Sequence, residues 1–188
     1  MTTRILLTFV IAIFAGSTFI AQATAQQRDH LTEQEVDLVK EAQALDKRID
    51  VFIKAAERRM LVINGSAQGG ANAKQLKKDS EKGWGELPTG SRAELVSDIA
   101  KILDEAITNI DDVSTRDERN PLIAKSLRKL AQTVNAMMVQ LKPLAAEAKS
   151  ESEIASFELL NEDAQSIVEA ANKLPAEVVP DKKAKSKN

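Results

Sequence analysis

The sequence predicts an all-α protein, an antiparallel bundle of about four helices. Three observations carry that expectation. Apolar residues recur at three- and four-residue spacing over four long stretches, 32–63, 91–115, 121–149 and 151–174. Each stretch opens on residues that cap helices. No segment alternates with a period of two, so no sheet is expected.

The first stretch begins with a capping box, Thr32 with Glu35, and Leu31 is placed to staple onto Val36. Its stripe is Leu38, Ala42, Leu45, Ile49, Phe52, Ala56 and Ile63, interrupted by Arg59. A second box, Ser91 with Glu94, starts a stripe of Leu95, Ile99, Ile102, Ala106, Ile110 and Val113. The third stretch has Asn120 as N-cap and Pro121 at the first helical position, where a missing N–H costs nothing. Leu127, Leu130, Val134, Met137, Leu141 and Leu144 follow in phase. Pro143 lies inside this stripe and predicts a kink near Val139, because it removes one hydrogen bond and crowds the preceding turn. The phase then shifts, which places a tight turn near residues 149–151. Ser150 with Glu153 opens a last stripe of Ile154, Phe157, Leu160, Ala164, Ile167, Ala171 and Leu174, ended by Pro175. Stretches of this length give rods of roughly 40 Å, each with an apolar stripe to bury.

Charge suggests an order for these rods. Residues 91–118 carry a net −5, 119–149 a net +5 and 150–174 a net −5. A basic third helix beside both acidic ones fits, and the short connections on either side of it favour the same antiparallel neighbours.

Three segments lie outside the stripes. Residues 1–25 read as a secretory signal peptide: Arg4, an apolar run from Ile5 to Ile20, and the cleavage pattern Ala23-Thr24-Ala25. Cleavage there loses Arg4 and leaves 25 basic residues against 28 acidic ones, a net charge of −3. A bacterial periplasmic or secreted protein is expected, with no stable membrane span once the leader is removed. Residues 64–90 hold every glycine of the mature chain and read as one long flexible connection. Residues 175–188 read as a disordered tail carrying Lys182, Lys183, Lys185 and Lys187. Residues 26–174 form the single domain.

Composition removes several functions. The absence of cysteine excludes disulfides, thiolate metal sites and thiol nucleophiles. A lone histidine, His30, excludes multi-histidine metal sites. A near-neutral balance and only Phe52, Trp84 and Phe157 as mature aromatics argue against nucleic acid as a partner.

The remaining chemical signals are few. Asp111, Asp112, Asp117 and Glu118 supply four oxygen donors for a hard cation, without the spacing of a calcium loop. Ser126 and Lys129 match S-x-x-K, but no S-D-N or K-T-G accompanies them, so they read as ordinary polar helix surface. Trp84 and Leu87, within the 64–90 connection, are the candidates for contact with a partner. The competing reading is an apolar plug, since a Trp side chain has a large area to bury.

The signal peptide, the opening LTEQEVDLVKEAQALDKRI and the stripe pattern resemble small exported all-helical bacterial proteins of unassigned function. Leu31-Thr32-Glu33-Gln34-Glu35 also resembles the L-T-x-x-Q motif of Spy/CpxP-type periplasmic chaperones, with Glu35 where that motif has Gln and no second copy. That resemblance implies a chaperone-like holdase. The residues themselves point to a non-catalytic exported protein with no cofactor, binding another protein or a cell-envelope component. A carboxylate-based metal or ligand carrier is the remaining alternative.

Overall fold

A computed structural model of the chain describes residues 29–65 and 70–175. The expected signal peptide at 1–25 and the tail beyond 175 lie outside the described residues. Those residues form six helices: α1 (Glu33–Glu41), α2 (Leu45–Ile63), α3 (Gly70–Glu81), α4 (Arg92–Arg116), α5 (Pro121–Ala146) and α6 (Glu151–Asn172). The chain is all-helical, with no strand among the described residues.

The helix starts lie where the caps place them. Thr32/Glu35 and Ser91/Glu94 form complete capping boxes, and the Asn120 side chain accepts from the Leu122 N–H. Ser150 caps α6 alone, because the Glu153 carboxylate turns away to Arg92 on α4. Helix α5 continues through Pro143 and stops at Ala146, short of residue 149.

Two departures matter. The stretch 32–63 is not one helix: it breaks at residues 42–44, and α1 folds back onto α2. No glycine or proline marks the break. Side chains hold the freed carbonyls instead, with Gln43 donating to Lys40 O and Arg48 Nε to Ala42 O. The connection 64–90, expected to be irregular, contains α3. Its Lys and Ala residues, with Gln75, Leu76 and Glu81, favour helix, and glycines stand only at its start and beyond its end. Gly83, at φ +83°, ends it: Gly83 N–H donates to Ser80 O and Trp84 N–H to Asp79 O, a Schellman closure.

Four long helices form a bundle in the cyclic order α2, α4, α6, α5, with α1 laid over α2. Their directions follow from paired residues. Lys125 and Lys129 of α5 meet Asp46 and Asp50 of α2, so partners advance together and these helices run parallel. Arg92 meets Glu153, and Asp104 lies beside Asp163 further along, so α4 and α6 also run parallel. Antiparallel pairs are α2 with α4, through Arg48–Asn109 and Arg59–Asp98, and α5 with α6.

The fully antiparallel order, with α5 beside α4, is therefore corrected. Helices α4 and α5 lie across the bundle diagonal, and α4 packs instead on the equally acidic α6. Neighbouring helix axes lie 8–10 Å apart, so a diagonal measures about 13 Å. The four residues 117–120 can span that distance at roughly 3.3–3.6 Å each. A short loop thus permits a diagonal step as well as an adjacent one. Burial along the α4–α6 seam, by Leu103, Ile110, Leu160 and Ile167, outweighs the repulsion between exposed charges.

Candidate functional site

Two regions depart from ordinary bundle chemistry. They lie on opposite faces of the molecule, one over α2 and α4 and the other between α5 and α6.

The first is a buried charge cluster. Arg58 and Arg59 of α2 are almost wholly enclosed, as are Glu35 of α1 and Asp98 of α4. Glu35 Oε1 lies 2.7 Å from Arg59 Nη1 and 3.3 Å from Arg58 Nε, while its Oε2 accepts the Thr32 N–H at 3.0 Å. One carboxylate thus completes the α1 cap and bridges two guanidiniums. Arg59 also donates to the carbonyls of Ala55 and His30, at 2.9 and 2.6 Å, and stands 3.8 Å from Asp98 Oδ2.

Arg58 Nη2 faces the successive carbonyls of Trp84, Gly85 and Glu86, and its guanidinium lies 5.6 Å from the Trp84 ring centroid. Burial lowers the Arg58 pKa from its ordinary value, and Glu35 works against that shift. The guanidinium stays charged at any ordinary pH. At the edge of the cluster, Lys54 meets Asp79 of α3 at 3.0 Å. His30 Nε2 lies 2.9 Å from Glu105 Oε2. Most of the cluster's polar atoms are engaged within the chain, while Arg58 Nη1 and Arg59 Nε are buried without a hydrogen-bond partner among the described residues.

Trp84 is therefore not an exposed anchor. It is a core residue under Arg58, and Leu87 is half-buried beside it in the chain. The φ of Gly85 is +62°, and a Cβ there would stand 3.0 Å from Gln34 Cγ. The left-handed backbone favours glycine there, and an added Cβ would press on the Gln34 side chain of α1.

The carboxylates proposed for a cation do not converge. Asp111, Asp112, Asp117 and Glu118 are all exposed. No group of three or more His, Asp or Glu side chains suited to a metal ion occurs among the described residues. Asp111 does line a cavity of about 380 Å³ on the α4–α6 seam, with Asp104 and Asp163. Burial, with Asp104 and Glu162 nearby, raises the Asp163 pKa. The S-x-x-K pair is likewise divided. Ser126 is buried rather than on the polar surface, and Lys129 Nζ is engaged by Asp50.

The second region is a groove of about 640 Å³ between α5 and α6. Met138, Leu141 and Phe157 form part of its lining, and Val139 and Ile154 stand at its sides. Val139 is 76% exposed and Ile154 42%. The stripe pattern placed Ile154 in the core, and the structure corrects this. Lys142 of α5 and Glu158 of α6 supply opposite charges to the same groove. A smaller hollow of about 250 Å³ shares Asn135, Met138 and Asn161 and extends the groove to Val168. The seam thus combines exposed apolar side chains with charges of both signs, as contact surfaces do.

No protein-family model, curated protein or solved structure matches this chain. No helix among the described residues is long and apolar enough to cross a membrane.

Proposed function

We propose that this is an exported, non-catalytic helical-bundle protein whose work is binding, with the α5–α6 groove as its contact surface. One observation carries the reading: two large apolar side chains, Val139 and Ile154, are exposed at a single groove. Isolated exposed apolar residues are ordinary, but grouped ones mark sites of contact. Export rests on the signal-peptide pattern of residues 1–25, with cleavage after Ala25. The partner class is a protein or another component of the cell envelope.

A photo-crosslinking residue at position 139, in the producing cell, tests the groove. Covalent adducts are expected there and not at exposed Glu118 on the far end of α4. Equal labelling at both positions, or none at either, would remove the groove from consideration. N-terminal sequencing of the recovered protein should begin at Gln26. A holdase reading draws on the same exposed side chains. It requires suppression of client aggregation that Val139→Lys abolishes.

A further inference from the structure

We infer that the groove between α5 and α6 is the interface of a homodimer, its occupant being the same face of a second copy. This rests on the reading of that groove as a contact surface and names its partner.

Charge, area and symmetry favour a second copy as the occupant. The groove carries one charge of each sign, Lys142 on α5 and Glu158 on α6. Two such faces can meet about a two-fold axis in two simple ways. An axis across the helices would stack α5 on α5 and α6 on α6, bringing like charges together. An axis along the groove puts α5 of each copy over α6 of the other. Rotation about an axis along the groove leaves height unchanged, so this second arrangement keeps residues of equal height opposite one another. Lys142 and Glu158 lie at the same level of the groove. Lys142 then faces Glu158 of the second copy, and the symmetry repeats the pair. A self-complementary patch of this kind is what a closed two-fold dimer requires.

The apolar side chains fit the same arrangement. Val139 of each copy lies against α6 of the other and Ile154 against α5, on either side of the Lys142–Glu158 pairs. The four helices across the interface form a second, smaller bundle. Helix α5 is roughly 40 Å long, and two helices side by side present about 20 Å of breadth. The face therefore offers on the order of 800 Å², near the share each partner gives to a standard-size interface.

The test is native mass spectrometry and light scattering on the chain recovered from the cell that makes it. The expected mass is twice that of the single chain. Val139→Lys should weaken self-association by about tenfold or more, the effect of burying a charge in place of an apolar contact. Lys142→Glu and Glu158→Lys should each weaken it, and the double exchange should restore it. All three positions are exposed, so circular dichroism should show unchanged helix content. A monomer would overturn the dimer, as would a dimer indifferent to Val139→Lys or a double exchange that fails to restore association. The crosslinker at 139 separates the two readings. A monomer joined to another molecule, or to its own residues 176–188, leaves the binding surface standing with a different occupant. A monomer with no adduct removes both.

Discussion

The two faces of this bundle invert the usual rule in opposite senses. Over α2 and α4, two arginines and two carboxylates lie where apolar residues are expected. Between α5 and α6, a valine and an isoleucine stand where polar residues are expected. The buried charges are paired with one another and with backbone carbonyls, with Arg58 Nη1 and Arg59 Nε left without a hydrogen bond among the described residues, so most of that face is completed within the chain. The exposed apolar groove has no such completion among the described residues. Partner satisfaction, more than polarity alone, separates a structural device from a contact surface.

The largest expected effect comes from breaking the finished face. Glu35→Ala leaves Arg58 and Arg59 enclosed without their shared counter-ion, and should cost about 3–5 kcal/mol in urea unfolding. Trp84 is the single tryptophan, so its emission reports the loop directly. A shift to longer wavelength is expected in this variant under conditions where helix content is intact. Gly85→Ala is the milder assault on the same face. Its left-handed backbone and the contact with Gln34 should cost about 1–2 kcal/mol.

The unfinished face should behave differently. Val139→Lys is expected to change unfolding free energy by no more than about 0.5 kcal/mol, since the side chain is 76% exposed. This comparison uses monomeric protein. A loss comparable to that of Glu35→Ala would show that the groove is part of the core.

The smallest effect lies between the two faces, on the α4–α6 seam. Burial and the neighbouring Asp104 raise the Asp163 pKa. The folded protein therefore holds this proton more tightly than the unfolded chain. Stability contributed by the protonated form is lost as pH rises through the upper carboxylate range. Asp163→Asn should give a slightly higher melting temperature at neutral pH. The gain should vanish below the ordinary carboxylate range, where both states are protonated. An equal gain at both pH values would show that ionisation of Asp163 is not its source.

The sequence made the helix starts legible because caps are local: Thr32, Ser91, Asn120 and Ser150 each act within a few residues. The break at 42–44 was not legible, since nothing at Ala42, Gln43 or Ala44 forbids helix. The turn is maintained by long-range burial of Glu35 against Arg58 and Arg59. Arg59 did register as an interruption of the first stripe, but its partners lie 24 and 39 positions away in the chain. Helix α3 was hidden by its flanking glycines and the absence of an apolar stripe. The groove was half visible. Val139 stands off the stripe of α5, whereas Ile154 stands on the stripe of α6 and is exposed because α5 ends at Ala146 beside it.

The grip of Arg59 on the His30 carbonyl, at 2.6 Å, has a mechanical side. Tension on the chain ahead of Asp29 meets this bond before it can unwind α1. The load passes into the C-terminal part of α2, where Glu35 and Asp98 brace the same guanidinium from neighbouring helices. A pull at Asp29 is therefore shared between α1 and α2 rather than borne by α1 alone.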